Sequence, residues 1–120
     1  MRIDESVRID ASPEEIWAIV TDPDQYPNFA DSITRWEPDG DKDRGLGARY
    51  TMRMRAGSAE VGGLVEVVEW DEGCDMAWTS ITGIDQRGRW RLRKQEDGTT
   101  EVTLRLAYQA PGSNALDGLR

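Results

Sequence analysis

Residues 6–29 read SVRIDASPEEIWAIVTDPDQYPNF, and this stretch decides how the chain folds. Val7 and Ile9 alternate with polar residues, which is the period of a β-strand with one buried face. The period then changes, because Ser12 is a favourable N-cap and Pro13 suits the first position of a helix. The stretch therefore predicts a strand followed directly by a helix that begins at Pro13.

The predicted helix has a broad apolar stripe and a defined end. Glu15 is placed to complete a capping box, with its carboxylate reaching back to the backbone amide of Ser12. The apolar residues of the stripe are Ile16, Trp17, Ile19 and Val20. The pattern is interrupted at Asp22-Pro23, because the residue before a proline is disfavoured in the helical region. A second short helix is expected over residues 23–29.

Segments spread over almost the whole chain match one known group of domains. The matching segments are IDASPEEIW (9–17), TDP (21–23), YP (26–27), GLG (45–47), EWD (69–71), GRW (88–90) and TTEVT (99–103), followed by Tyr108. In these segments the chain resembles the bacterial polyketide cyclase/dehydrase and START-like (SRPBCC) superfamily, whose domains share the helix-grip fold. The resemblance implies a curved sheet, a long C-terminal helix across it and a ligand cavity between the two.

From Asp31 onward the sequence predicts six strands separated by turns. They are expected over residues 33–37, 49–55, 59–70, 76–81, 87–93 and 102–108. Together with the first strand they predict an α+β domain of the order β-α-α-β6, with seven antiparallel strands. In the long segment 59–70, residues of both parities are apolar after Gly62-Gly63. A bulge at these glycines would allow this, and the sequence leaves open which set faces inward.

The length and composition fit one domain that fills residues 1–120. A chain of this length buries about two-thirds of the surface that it exposes when unfolded, which is enough for a real core. No apolar run approaches the roughly 20 residues of a transmembrane helix, and no basic-then-apolar leader opens the chain. We therefore expect a cytoplasmic protein without an integral membrane segment.

The net charge of −8 argues against nucleic acid as a partner, because phosphate binding depends on a positive field. Arg87, Arg89, Arg91 and Arg93 occur at every second residue, so they are expected on one face of a strand. The favoured interpretation is a solvated outer face, with Glu101 and nearby acids as cross-strand partners.

Large rings and thioethers recur at strand spacing and predict an apolar site. The candidate ligand-binding residues are Phe29, Trp36, Tyr50, Met52, Met54, Trp78, Trp90, Leu104 and Tyr108. Side chains of these types line pockets for apolar, often ring-containing ligands. They also fill cores, and core packing is the commoner role for any one of them. The cavity is implied by the resemblance and not by the periodicity.

Candidates for catalysis are few, because the chain has no histidine. Glu5 shares its strand parity with apolar residues, and Glu66 would face inward if a bulge at the glycines reversed its parity. Tyr50 and Tyr108 could donate a hydrogen bond to a carbonyl or enolate oxygen. For each acid, a solvated charge is the commoner role.

Metal and thiol chemistry are not expected. The chain has one cysteine, Cys74, which lies in a predicted turn and lacks a histidine to activate it. We therefore expect an inert thiol. With no histidine, one cysteine and no calcium-loop spacing of acids, the sequence predicts no metal site, and no cofactor is implied.

The long C-terminal helix that the resemblance implies has little sequence left to form it. Residues 111–114, PGSN, are typical of a loop that leads into a helix N-cap, so the domain is expected to be truncated after about residue 113. The apolar face of the sheet would then lack part of its cover. Exposed apolar patches commonly become interfaces, so we expect such a patch and a homodimer formed through it.

Three functions are compatible with these features. The leading hypothesis is a domain that binds a hydrophobic small molecule, such as a lipid, a polyketide or an isoprenoid-like compound. The alternative is a polyketide cyclase or aromatase, which would assist aldol closure and dehydration through tyrosine and glutamate side chains. A third hypothesis is a protein-interaction module, since the resembled superfamily includes activators of chaperones.

Overall fold

A computed structural model describes residues 2–25 and 33–109 as seven strands and two short helices. Helix α1 spans Pro13–Val20, and a 3-10 helix follows at Pro23–Gln25. The strands are β1 Arg2–Ile9, β2 Ile33–Pro38, β3 Arg49–Ala56, β4 Ala59–Asp71, β5 Asp75–Gly83, β6 Gln86–Lys94 and β7 Thr100–Tyr108. Neither of these helices is long and apolar enough to cross a membrane.

All seven strands form one antiparallel sheet in the order β1-β7-β6-β5-β4-β3-β2. Strands β2 to β7 each pair with their neighbours in sequence, whereas β1 pairs with the last strand. The strands β1 and β2 therefore lie at opposite edges, and the segment that joins them carries α1 over one face. This arrangement confirms the predicted helix-grip class. The expected C-terminal helix, and the second helix beyond Gln25, lie outside the described residues.

Helix α1 begins where the sequence predicts. The hydroxyl oxygen of Ser12 accepts a hydrogen bond from the backbone N–H of Glu15 at 3.2 Å. The predicted capping box differs in one detail, since the Glu15 carboxylate accepts from the Ser12 hydroxyl, also at 3.2 Å. At the other end, the backbone N–H and the hydroxyl of Thr21 both donate to the carbonyl oxygen of Trp17. Both ends of α1 are thus capped by its own sequence.

The two faces of the sheet differ in composition. Paired residues of antiparallel strands project to the same face, so the register divides the side chains into two sets. The inner face, on the α1 side, carries the large apolar residues Trp36, Tyr50, Met52, Met54, Val65, Val67, Met76, Trp78, Trp90, Leu92, Val102, Leu104 and Leu106. The outer face carries the arginines of β3, β6 and β7. The alternation in the sequence therefore predicted which side chains share the buried face.

The pairing of β4 shows which of its residues face inward, a question that the sequence leaves open. Its pairing with β5 shifts register twice, between Leu64 and Val65 and again between Val67 and Glu69. The second shift inserts an extra residue in β4 and reverses the alternation. Val65 and Val67 therefore face inward before this shift, and Trp70 faces inward after it.

The glycines of β4 and β5 mark a close approach of two backbones, whereas the bulge of β4, which the sequence predicts at its glycines, lies at Val68. A Cβ atom at Gly63 would lie 2.0 Å from the carbonyl oxygen of Thr82, and one at Gly83 would lie 2.1 Å from that of Gly62. No side chain fits at such distances, so both positions require glycine. The first register shift follows directly after Leu64, and its extra residue is Ile81 of β5.

Acids on the outer face compensate the arginines of β6. The carboxylate of Asp75, which is 15% exposed, accepts hydrogen bonds from Arg91 and Arg93, each at 3.1 Å. Arg89 approaches the same carboxylate at 3.9 Å. Burial by itself raises the pKa of Asp75, but the hydrogen bonds from Arg93 and Arg91 outweigh it and hold the pKa below its usual value. The solvated outer face is as predicted. Glu101 lies opposite Arg93 in the register, and the ion pairs are formed with the nearby acids Asp75 and Glu69.

Candidate functional site

A groove runs between α1 and the strands β1, β7 and β6 on the inner face. Its volume is about 430 Å³. The helix contributes Ile16, Ile19 and Val20 to its walls, and the sheet contributes Val7, Trp90 and Leu104. We call this site the α1 groove. Because aliphatic and aromatic side chains form both of its walls, it is suited to an apolar group.

The α1 groove leaves aliphatic side chains open to solvent. Val7 is 57% exposed on the strand side, and Ile19 is 51% exposed on the helix side. Ile9 is also exposed in the same groove. Contiguous apolar surface on an otherwise charged protein is typical of a binding site.

An aromatic cluster fills another part of the inner face. The indole of Trp36 stacks on Tyr50 with ring centroids 5.1 Å apart, and it meets Trp78 edge to face at 5.2 Å. Met52 and Met54 belong to the same core, and all five side chains are at most 3% exposed. The expectation of an exposed patch is wrong for these five residues, because the rings pack on one another. The exposed part is the α1 groove, and a homodimer formed through it stays a prediction.

The two candidate acids lie on opposite faces. Glu5 lines the α1 groove and is the register partner of Leu104. Glu66 forms an ion pair with Arg49 on the outer face, with 2.9 Å between Arg49 Nε and Glu66 Oε1. The shift that reverses the parity of β4 comes after Glu66, so the condition for an inward Glu66 is not met. Of the two acids, only Glu5 is placed to meet a ligand in the groove.

The two candidate tyrosines differ in the surroundings of their hydroxyl groups. The Tyr50 hydroxyl donates to the backbone carbonyl of Asp43, and burial raises the pKa of Tyr50 to about 12. Its proton is therefore already engaged, in a contact that ties down the loop before β3. Tyr108 is half-buried and is the register partner of Gln86. It lines a cleft of about 730 Å³ at the end of the sheet where β6 begins and β7 ends.

The structure distributes the predicted ligand-binding residues over three places. Trp90 and Leu104 line the α1 groove, and Tyr108 borders the cleft at the end of β7. The aromatic cluster holds Trp36, Tyr50, Met52, Met54 and Trp78. Phe29 lies outside the described residues. The groove and the cluster share one face, with Trp90 of the groove paired to Met76 beside Trp78.

One buried polar residue of the inner face was missed by the sequence analysis. Gln86 is 3% exposed, and its side-chain amide donates to the sulfur of Met52 at 2.8 Å. The sequence could have placed Gln86 on the inner face, because it has the same parity as Gly88, Trp90 and Leu92 on β6. A polar side chain in an otherwise apolar set indicates a site or a specific contact.

The remaining reactive groups do not form a second site. Cys74 is a half-buried free thiol. Over residues 2–25 and 33–109, no group of three or more histidine, cysteine or carboxylate side chains is arranged to hold a metal ion. The α1 groove itself is lined by two carboxylates, Glu5 of β1 and Glu15 of α1, beside its apolar side chains.

The fold and the site define a class of protein. A curled antiparallel sheet of seven strands, with a short helix on its apolar inner face, is a helix-grip domain of the START and Bet v 1 kind. Within this class, the chain belongs to the family described as polyketide cyclase / dehydrase and lipid transport, whose model matches residues 1–120. The resemblance seen in the sequence is thereby confirmed.

Several solved structures are similar to this chain. A protein from Deinococcus radiodurans is 26% identical, with a TM-score of 0.74 over 98% of this chain and 89% of that one. A protein from Thermus thermophilus is 22% identical, with a TM-score of 0.76 over 97% and 80%. A START superfamily protein from Mycobacterium smegmatis is 17% identical, with a TM-score of 0.73 over 95% and 83%. The last two similarities concern the fold alone. No curated protein matches the chain.

Proposed function

We propose that this protein binds a hydrophobic small molecule, of the lipid, polyketide or isoprenoid type, on the inner face of its sheet. The observation that carries the proposal is the α1 groove, which holds half-exposed aliphatic side chains against Trp90 and Leu104. Membership of a family described by cyclase, dehydrase and lipid-transport activities supports the same class of ligand.

The free energy gained by covering apolar surface in the groove is sufficient for specific binding. Covering about 300 Å² of apolar surface contributes about 7 kcal/mol. Part of this is offset by the lost freedom of the ligand, so we expect dissociation constants of about 10–100 µM for a simple ligand of two rings. Natural ligands with further contacts would bind more tightly.

A charge placed in the α1 groove is expected to weaken binding. The probe is N-phenyl-1-naphthylamine, a neutral molecule whose fluorescence rises in apolar surroundings. We expect one probe per chain, and Ile19→Glu is expected to raise its dissociation constant at least about tenfold, because the carboxylate loses hydration when the groove fills. The measurement is a fluorescence titration at fixed protein concentration.

Leu46→Glu is the matched control for this titration. Leu46 is 57% exposed, close to the exposure of Ile19, and does not line the α1 groove. Its substitution should leave the dissociation constant within about twofold of the original value, since a solvated charge outside the groove is screened by salt. Equal affinities for the Ile19→Glu and Leu46→Glu variants would contradict binding in this groove.

A cyclase or dehydratase is the second candidate function, and the position of Glu5 favours it. A carboxylate beside an apolar groove can take a proton from the carbon between two carbonyl groups of a bound poly-β-ketone. Glu5→Gln is then expected to abolish formation of the aromatic product from a linear poly-β-ketone while leaving probe binding unchanged. The control is Asp4→Asn, which alters the neighbouring acid that pairs with Arg105 on the outer face. Unchanged turnover in Glu5→Gln would remove Glu5 from the mechanism.

A further inference from the structure

Strand β1 forms an open edge of the sheet. It pairs with β7 on one side, and no described strand pairs with it on the other. Its register with β7 runs without a shift from Arg2 to Ile9, and it contains no proline. Seven of its eight residues are exposed. The backbone N–H and C=O groups along its free edge are therefore able to pair with another strand.

The opposite edge of the sheet, β2, is protected against such pairing. Its register with β3 shifts between Ile33 and Arg35, and the strand ends in Pro38, which has no N–H to donate. Bulges and prolines are common devices that keep edge strands from pairing. Since β1 has neither of them, the two edges differ in their capacity to bind a further strand.

The charges of β1 fit those of a second copy of β1. Two copies related by a two-fold axis pair antiparallel, and their sheets are continuous when residues of the same face lie opposite each other. With the axis at Ser6, Asp4 lies opposite the partner's Arg8. The same geometry places Arg2 opposite the partner's Asp10, just beyond the strand. Because the symmetry repeats both contacts, opposite charges meet four times along the shared edge.

The neighbouring registers bring like charges together. With the axis one residue earlier, Arg2 would lie opposite the partner's Arg8, and the Glu5 residues of the two copies would meet. With the axis one residue later, Asp4 would lie opposite the partner's Asp10. Like charges directly opposite on paired strands are destabilising. The charge pattern therefore favours the first of these registers.

The charges of β1 are available for contacts with a partner. Arg8 lies 3.8 Å from Asp97, and Asp4 lies 3.6 Å from Arg105. All four side chains are more than half exposed. Such exposed ion pairs contribute little to stability, so they do not compete strongly with contacts across a dimer.

We propose that the protein forms a homodimer in which β1 pairs antiparallel with β1 of a second copy, with the two-fold axis at Ser6. On the inner face, Ile3 lies opposite the partner's Ile9, which is 38% exposed in the single chain. Burial of these side chains adds an apolar contribution to the backbone hydrogen bonds. The contact differs from the dimer through an uncovered sheet face that the sequence predicts. It goes beyond the proposed function, because the α1 groove keeps its walls from α1, β6 and β7.

A charge exchange tests the pairing and its register together. Asp4→Arg and Arg8→Asp each place like charges opposite each other, so each is expected to weaken the homodimer at least about tenfold. An equimolar mixture of the two variants is expected to form a heterodimer about as stable as the original homodimer, because both contacts again join opposite charges. The measurement is sedimentation velocity of the full chain, and the unaltered protein is expected to be dimeric at about 100 µM. Arg87→Asp is the control, because it makes the same change of charge at an exposed residue of β6, away from the edge.

A cysteine at the axis gives a second measurement, which does not depend on the charges. Residues opposite each other in an antiparallel pair have Cα atoms about 4.5–5.5 Å apart, which is within the range of a disulfide. In a Cys74→Ser background, Ser6→Cys is expected to form a linked dimer under mild oxidation at least about tenfold faster than Ser58→Cys. Ser58 is the control because it lies exposed in the turn between β3 and β4.

Three results would overturn this pairing. The first is an unaltered protein that is monomeric at about 100 µM. The second is a dimer whose stability is the same in Asp4→Arg and Arg8→Asp as in the original, or two folded variants that form no heterodimer when mixed. The third is an equal rate of linkage for Ser6→Cys and Ser58→Cys, which decides the matter if a charge variant does not fold. Tryptophan fluorescence reports whether each variant is folded.

Discussion

Gly83→Ala is expected to destabilise the protein by about 3–5 kcal/mol. Gly83 has φ of +84°, where an alanine costs about 1–2 kcal/mol. Its added Cβ would also lie 2.1 Å from the carbonyl oxygen of Gly62 and 2.7 Å from the Cα of Gly63. These neighbours are backbone atoms and cannot rotate away, so the two strands must separate, which adds the cost of overpacking. The measurement is urea unfolding followed by tryptophan fluorescence.

Gly98→Ala is the matched control, because it isolates the cost of the backbone conformation. Gly98 has nearly the same φ, +89°, and a Cβ there would meet nothing within 4 Å. We expect its substitution to cost about 1–2 kcal/mol. Equal losses of stability in Gly83→Ala and Gly98→Ala would show that β4 and β5 do not approach as closely as described.

Gly88→Ala is expected to destabilise the protein by about 2–3 kcal/mol. Alanine is normally preferred to glycine within a strand by about 0.5–1 kcal/mol, so the expected sign is the reverse of the usual one. The reason is the Trp78 ring, which lies over Gly88 and would be 2.1 Å from the new Cβ. The ring must move out of the aromatic cluster, and its packing against Trp36 is lost with it.

A double-mutant cycle tests this cause directly. When Trp78 is first replaced by leucine, the Cβ at position 88 has room, and Gly88→Ala should become neutral or slightly stabilising. The coupling between the two substitutions is expected to be about 2–3 kcal/mol, measured by the same urea unfolding. A loss of stability that is the same in both backgrounds would mean that Trp78 does not lie over Gly88.

Much of the fold could be predicted because it depends on local patterns. The caps of α1 are formed by residues within a few positions of its ends, such as Ser12 and Thr21. The apolar alternation of β3 and β6 identified their inner faces, since the side-chain period of a strand is two. The class of fold followed from the family resemblance, which supplied the long-range topology that periodicity does not contain.

The features that the sequence did not predict depend on contacts between distant residues. The parity of β4 depends on the extra residue at Val68, and periodicity does not distinguish this position from its apolar neighbours. Asp75 binds Arg91 and Arg93 although only Arg91 is its register partner, and this sharing of one carboxylate depends on side-chain geometry that periodicity does not contain. The edge-to-face contact between Trp36 and Trp78 joins β2 to β5, which are distant in the sequence. The burial of Gln86 was not predicted, because it depends on the side chains that surround it in the fold.

The most direct test of the central claim is an NMR titration of methyl-labelled protein with N-phenyl-1-naphthylamine. If an apolar ligand binds on the inner face, the methyl signals of Val7, Ile19 and Leu104 should shift together with increasing probe. The signals of Leu64 and Val68, which do not line the α1 groove, should stay unchanged. Shifts confined to Leu64 and Val68, or no shift of any methyl signal at saturating probe, would contradict the account.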